Sequence, residues 1–362
     1  MPSSVNKTAL KKFFEFHLGR LPEPYTQLDS SRLTVIYFCV VGLDLLGELD
    51  SIDEEGRRVI IDYIYAQQLN DTHTSHGHRG FLGTYQGQPF GSCLCNLMQC
   101  IDIQDNCHSP TDQSQAPRCI LNGHLAMAYT ALAVLKSLGD DCSRVDKSAL
   151  IREMSSLQQS DGCFSASHDG SECDMRFLYC ACAISYMIDD WSGVDKDRAV
   201  EYIKSCITYE GGIALVPNSE AHGGSCYCAT ASLVLMDRLD SIGEKNQANL
   251  IQYCLYRQGK EGYEGRTSKV PDTCYSFWVG GSLDLLRCID ETDIESTKKF
   301  IIGDCHSEIN GGFSKHPDVP PDILHTFYST CWLSLVGLEG VRKLDTKLGI
   351  CKSDSVAQPS KR

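Results

Sequence analysis

Residues 261–278 read EGYEGRTSKVPDTCYSFW: a Gly-aromatic turn, two cations, a Pro-Asp pair, and then the start of an apolar run. The Gly262-Tyr263 turn has counterparts at Gly212-Ile213 and Gly312-Phe313, a spacing of 50 in both directions. A shifted copy, Asp161-Gly162-Cys163-Phe164, precedes them, and Arg79-Gly80-Phe81, though off the period, is read as the first. A period near 50 marks stacked supersecondary units, each unable to bury its apolar face alone.

Each unit carries two apolar segments with helical period, one on either side of the turn. Those before the turns, at 55–69, 145–158, 196–208, 244–257 and 294–304, carry charges on one side and suit outer helices. Those after the turns, at 123–138, 174–188, 224–237, 274–287 and 325–337, are rich in Ala, Ser, Cys, Tyr and Leu and suit inner helices. An N-terminal pair at 5–18 and 32–46 completes six hairpins. The expected fold is all-α, a closed α/α barrel of six helical hairpins (an α-α toroid). An open solenoid would call for polar terminal caps, which the sequence does not offer.

No Pro/Gly/Ser-rich linker divides the 362 residues, so residues 1–350 are expected to form one domain, with a variable Cys-rich loop at 91–118 and a flexible tail at 351–362. A net charge of -14 argues against nucleic-acid binding. The N-terminus lacks an apolar signal core and no apolar run reaches the roughly 20 residues that span a bilayer, so a cytoplasmic, non-membrane-spanning protein is expected. Many of the 20 cysteines, such as Cys39, Cys180, Cys182, Cys254, Cys288 and Cys331, fall in helix-like apolar runs, where free thiols serve as small hydrophobes.

The repeat also predicts which residues share a level. Asp272 matches His222 in the preceding unit and Asp322 in the following one, and Cys274 and His325 begin adjacent inner helices. If the ring closes, Asp272, Cys274 and His325 meet at one mouth of the barrel. Three such ligands leave zinc a fourth position for water or substrate, as in a catalytic site. The plainer alternative makes Asp272 a helix N-cap, Cys274 core and His325 a satisfied polar group. His222, Arg266, Lys269 and Tyr275 lie close by and form a set of donors suited to a diphosphate. Phe177, Tyr179, Tyr227, Phe277, Trp278, Phe327 and Tyr328 are placed to wall an apolar pocket or simply to fill the core.

Two other classes stay open on spacing. Glu172 and Asp322 sit at comparable levels, as the two carboxylates of a glycoside hydrolase would, although that chemistry needs no zinc. A lipid-binding module with the same fold and no turnover is the other.

The chain resembles the beta subunits of the protein prenyltransferases, on their type I geranylgeranyl side. The resemblance rests on SSRLT at 30–34, GHLAMAYTAL at 123–132, SECDMRFLYCA at 171–181, EAHGGSCYCA at 220–229, GRTSKVPDTCYSFW at 265–278 and GGFSKHPD with DILH over 311–325. It implies zinc on Asp272, Cys274 and His325, and a lipid diphosphate on His222, Arg266, Lys269 and Tyr275. It further implies geranylgeranyl transfer from geranylgeranyl diphosphate to the cysteine of C-a-a-X proteins such as Rho/Rac-type small GTPases, and an obligate alpha subunit. Thr34 stands where farnesyl enzymes carry a pocket-shortening Trp, and Trp278 and Tyr328 line the same lipid pocket. Lys315 replaces a magnesium-binding Asp, so Mg²⁺ is not expected to be required. His124, Ala126, Phe177 and Leu324 would floor the pocket for residue X, and Arg176 would help hold the peptide carboxylate. The farnesyltransferase beta subunit is the nearest alternative within the family. Two stretches depart from the family pattern: the loop 91–118, and Pro320-Pro321 just ahead of DILH.

Overall fold

A computed structural model describes residues 5–20, 22, 31–69, 79–82, 123–168, 170 and 172–352; the loop 91–118 and the last ten residues lie outside them. Among the described residues twelve α-helices follow in order: α1 (Lys7–Gly19), α2 (Arg32–Leu45), α3 (Glu54–Ala66), α4 (Leu125–Ser137), α5 (Lys147–Leu157), α6 (Met175–Ile188), α7 (Lys196–Ser205), α8 (Gly223–Met236), α9 (Glu244–Leu255), α10 (Thr273–Leu285), α11 (Ile294–Lys298, continuing as a π-helix over Lys299–Asp304) and α12 (Ile323–Leu335).

Even-numbered helices form the inner wall and odd-numbered ones the outer. Each even-numbered helix packs on the one before and the one after it, and α12 packs back on α2, so the ring closes. The expected segments agree with these helices to within a few residues at each end. Inner helices are buried nearly all round, as α8 shows with 12 of its residues buried, whereas outer α7 buries only Ala199, Val200, Tyr202 and Ile203. That contrast is the physical content of the Ala/Ser/Cys-rich composition: small side chains let inner helices touch both neighbours and the lumen. On α8 two hydroxyls are absorbed locally, Thr230 donating to the Cys226 carbonyl and Ser232 to that of Cys228.

The Gly turns fix the spacing of the units. Gly162 has φ +94°, and a Cβ there would meet the Arg198 carbonyl oxygen at 2.1 Å, so the turn sits directly on the start of the next outer helix, α7. Gly311, φ +68°, does the same against Ala9 of α1, where a Cβ would fall 2.2 Å from the carbonyl oxygen. The last unit is thereby seated on the first.

Short antiparallel pairings flank the turns, including β1 (Gln68–Leu69) with β2 (Gly80–Phe81) and β3 (Gln258–Gly259) with β4 (Gly262–Tyr263). Ser314 pairs with Pro321 where Ala214 pairs with Ala221 one hundred residues earlier. Pro321 therefore occupies an ordinary position of the repeat, and α12 enters the ring as α8 does.

A feature the repeat did not announce closes the far end. Residues beyond α12 form a hairpin, β5 (Leu344–Asp345) with β6 (Ile350–Cys351), held at the C-terminal ends of α12 and α10 by Leu344 N–H on Ser334 Oγ and Thr346 Oγ1 on Asp284, and its turn reaches into the lumen. Four inner-helix tyrosines donate to its carbonyls: Tyr227 to Thr346 (2.7 Å), Tyr179 to Lys347 (3.2 Å), Tyr129 to Leu348 (2.8 Å) and Tyr37 to Gly349 (2.7 Å). Tyr179 and Tyr227, expected in the pocket wall, thus spend their hydroxyls on this plug. Pairing continues to Lys352, whose N–H donates to the Lys343 carbonyl.

Candidate active site

All six inner helices point their N-termini to the opposite, open end. Five of them begin with a side chain that accepts the hydrogen bond of an early backbone N–H: His124 on α4, Asp174 on α6, His222 on α8, Asp272 on α10 and Asp322 on α12. A ring of caps satisfies otherwise orphaned N–H groups and also gathers His and Asp side chains around one mouth. The cap role and the site role of Asp272 are therefore compatible, since one carboxylate serves both.

Asp272, Cys274 and His325 bring a carboxylate oxygen, a thiol sulfur and an imidazole nitrogen to within 4.8 Å of one another, and no other group of this kind occurs among the described residues. Asp272 Oδ1 accepts from the Cys274 N–H at 2.9 Å and lies 3.2 Å from His325 Nε2. Lys315 Nζ stands 3.7 Å from Asp272 Oδ2. On its other side His325 Nδ1 sits 2.6 Å from Asp322 Oδ2. Burial works against a charged His325, but Asp272 and Asp322 more than offset it and raise the imidazole to about 9. Burial, then Asp272, pushes the Cys274 thiol well up. For Asp272, burial is outweighed by the hydrogen bond from His325, and the carboxyl is lowered. With Nδ1 directed at Asp322, the Nε2 of His325 is the nitrogen left for a cation, and such carboxylate-imidazole pairing orients metal ligands generally. The donor set, its burial and its oriented imidazole fit a metal ion.

Beside this cluster His222 Nε2 meets the Tyr275 hydroxyl at 2.8 Å, while His222 Nδ1 accepts from the Gly224 N–H at 3.0 Å. Burial, then Arg266, lowers the His222 pKa, so the ring is neutral at pH 7. A neutral ring that accepts at Nδ1 carries its proton on Nε2 and donates to the Tyr275 oxygen. The tyrosine proton is then directed elsewhere, and burial holds the phenol up at about 12, so it stays a donor. Arg266 pairs with Glu220 at 3.2 Å, with both side chains about half exposed, and Lys269 is exposed. Glu220 was not singled out from sequence; its place two residues before His222 was the available signal.

Lys315 is positioned by contacts that also escaped the sequence. Thr273 donates its hydroxyl to the Ser314 carbonyl (2.7 Å) and its N–H to that of Lys315 (3.2 Å), and His316 Nδ1 meets the Pro271 carbonyl at 2.8 Å. Arg176 is forked onto Asp174, with Nη2 2.7 Å from Oδ2, and also reaches Glu172 at 3.1 Å. Glu172 and Asp322 are thus each committed to a cation or imidazole partner and do not form a free carboxylate pair. His124 meets Phe177 edge-on at 5.6 Å between ring centres, and Leu324 is 38% exposed at the rim. Ala126 follows His124 in the first turn of α4, half-buried. Thr34 faces Met127, its hydroxyl 4.0 Å from the sulfur. Trp278 packs on Tyr328 at 4.3 Å, and Tyr328 stacks on Phe277 at 5.3 Å.

The sequence matches the prenyltransferase alpha-alpha toroid domain over residues 5–350. It is 36% identical over 358 residues to the geranylgeranyl transferase type-1 subunit beta of Dictyostelium discoideum, covering 97% of both proteins. To the Arabidopsis thaliana protein of the same name it is 36% identical, covering 93% of this chain and 87% of that one. The farnesyltransferase subunit beta of Pisum sativum is 34% identical over a smaller share, 57% of this chain and 52% of that one. Among solved structures, a Candida albicans protein geranylgeranyltransferase-I chain superposes with a TM-score of 0.78 at 22% identity, over 96% of each chain, in line with the same fold. The closed ring of hairpins and these relatives agree: the chain belongs to the prenyltransferase alpha-alpha toroid family, alongside its geranylgeranyl transferase type-1 beta subunits.

Proposed function

We propose that this chain is the catalytic beta subunit of a heterodimeric protein geranylgeranyltransferase type I, which moves a geranylgeranyl group from its diphosphate to the cysteine of a C-terminal C-a-a-X sequence. The observation that carries the proposal is the Asp272–Cys274–His325 cluster beside the His222–Tyr275 pair, in a chain 36% identical to such subunits over nearly its full length.

Zinc is the ion proposed for the cluster, with Asp272, Cys274 and His325 as its ligands; when bound it supplies thiolate character to the acceptor cysteine near neutral pH. The acceptor sulfur forms a bond to C1 of the lipid as the C1–O bond breaks and diphosphate leaves. Arg266 and Lys269 meet the departing charge, and the Tyr275 hydroxyl, oriented by His222, donates to the leaving oxygen. Arg266 exchanges Glu220 for the diphosphate in the process. Lys315 supplies a fixed ammonium at the mouth, so Mg²⁺ is not required. Thr34, Trp278 and Tyr328 border the lipid, with the small Thr34 leaving room for the longer chain. His124, Ala126, Phe177 and Leu324 receive residue X, which suits Leu or Phe, and Arg176 holds the peptide end.

Residues 1–350 form the catalytic domain in this proposal, with an alpha subunit as obligate partner and the cytoplasm as location. Support for a reducing compartment comes from the described cysteines, all of which are free thiols. None of the described helices is long and apolar enough to cross a membrane. The test is transfer of labelled geranylgeranyl or farnesyl from its diphosphate to a C-a-a-Leu peptide, by this chain co-expressed with an alpha subunit and without added Mg²⁺. Geranylgeranyl preference is expected; farnesyl preference with a magnesium requirement would overturn the roles of Thr34 and Lys315.

A further inference from the structure

Between α5 and α6 the chain folds back twice, Gln158 pairing with Phe164 and Ser165 with Cys173, both antiparallel. Side chains alternate between faces along an extended segment, so Cys163, two residues from Ser165, lies on the same face and diagonal to Cys173. The two sulfurs are in contact at 2.6 Å, and both residues are free thiols. Their exposure differs: Cys163 is buried, 1% exposed, and Cys173 is half-buried. No third ligand makes them a metal site, since among the described residues the one cluster able to hold an ion is at Asp272, Cys274 and His325. Neither thiol takes part in the transfer chemistry above.

We propose that Cys163 and Cys173 are a redox modification site, closing to a reversible disulfide when the protein meets an oxidised small-molecule disulfide such as glutathione disulfide. The accessible Cys173, as thiolate, attacks one glutathione sulfur; the glutathione S–S bond breaks and one glutathione leaves as thiolate, taking up a proton. Cys163 then gives up its proton and attacks the Cys173 sulfur, displacing the second glutathione. Two protein thiols lose two electrons and two protons, and one glutathione disulfide becomes two glutathione thiols. Burial, then contact with Cys173, pushes the Cys163 thiol up, which suits it to the second, intramolecular step rather than the first. The new bond fixes the segment entering α6: Cys173 directly precedes Asp174, whose carboxylate caps that helix and grips Arg176.

The test uses the heterodimer, incubated with glutathione disulfide, alkylated without reduction and digested with trypsin. The fragment from Glu153 to Arg176 contains both cysteines, no other cysteine and no internal Lys or Arg, so its mass reports the pair alone. The expected result is a fragment lighter by two hydrogens and refractory to alkylation, restored by dithiothreitol. With Cys163→Ser the fragment should instead keep glutathione on Cys173, because nothing displaces it. Two alkylated thiols in the wild type, or a persistent glutathione adduct on wild-type Cys173, would overturn the proposal. The wild-type measurement decides even if the variant folds poorly, and it is independent of whether the enzyme transfers lipid.

Discussion

His325 faces Asp272 across the gap between α12 and α10, its Nε2 3.2 Å from the carboxylate Oδ1 that also caps α10. One oxygen therefore finishes a helix and sets the distance to the next. The imidazole cannot swing away, because Asp322 holds its Nδ1. Helix capping, ring closure and ligand geometry are thus a single constraint, and predictions about the metal follow from it.

Asp322→Asn keeps the cap of α12 but removes the charge that orients His325. Zinc affinity should fall about 10- to 100-fold, the cost usual for such outer partners of a ligand. Competition with a fluorescent chelator measures it, and unchanged affinity would show that Asp322 does no more than cap.

Tyr275→Phe leaves the ring in place and removes the hydroxyl that His222 orients. Turnover should drop by up to about 100-fold, as when a donor to developing negative charge is lost. Lipid binding should change far less, since the charge of Arg266 and Lys269 is retained. Single-turnover rates set against lipid Kd separate the two.

Thr34→Trp places a bulky ring where a hydroxyl now faces the Met127 sulfur at 4.0 Å. Preference should shift from geranylgeranyl toward farnesyl diphosphate in a competition assay. An unchanged ratio would move the determinant of length to Tyr328 and Trp278.

Lys315→Asp exchanges the ammonium 3.7 Å from Asp272 for a carboxylate. Added Mg²⁺ should then accelerate transfer by the variant and leave the wild type unaffected. A flat magnesium titration for both would remove Lys315 from the account of metal requirement.

The C-terminal plug gives a prediction about stability. At Gly349, φ +66°, a Cβ would lie 2.6 Å from the Tyr37 hydroxyl oxygen, so Gly349→Ala combines backbone strain with a clash. We expect a loss of about 1–3 kcal/mol and a lower thermal midpoint. Tyr227→Phe, which deletes one hydrogen bond to the plug, should cost about 1 kcal/mol.

The barrel was legible because its repeat leaves a mark at every level. Gly turns at 212, 262 and 312, apolar segments between them and Asp or His at 222, 272 and 322 all keep the same period. The same period brings Asp272, Cys274 and His325 to one level. The plug was not legible in this way, since residues 338–351 have no counterpart in the repeat and hold the lumen by their carbonyls, which carry no sequence signal. A trace did exist in the tyrosines: Tyr129 and Tyr179 are 50 apart and Tyr179 and Tyr227 are 48 apart. Matched hydroxyls one level deeper than the caps imply a shared polar partner, but as aromatics at helical spacing they read equally well as pocket wall. Glu220 and the Thr273–Lys315 contact escaped for another reason: ion pairs and backbone contacts between neighbouring loops depend on loop shape, which periodicity does not fix.

The most direct measurement is metal content. Purified heterodimer, wild type and Cys274→Ala, would be dialysed against metal-free buffer and analysed by inductively coupled plasma mass spectrometry, with geranylgeranyl diphosphate binding measured on the same samples. The account predicts close to one zinc per wild-type chain, little in the variant, and lipid binding retained by both. Equal zinc in the two proteins, or none in an active wild type, would contradict the assignment of Asp272, Cys274 and His325 as the metal site.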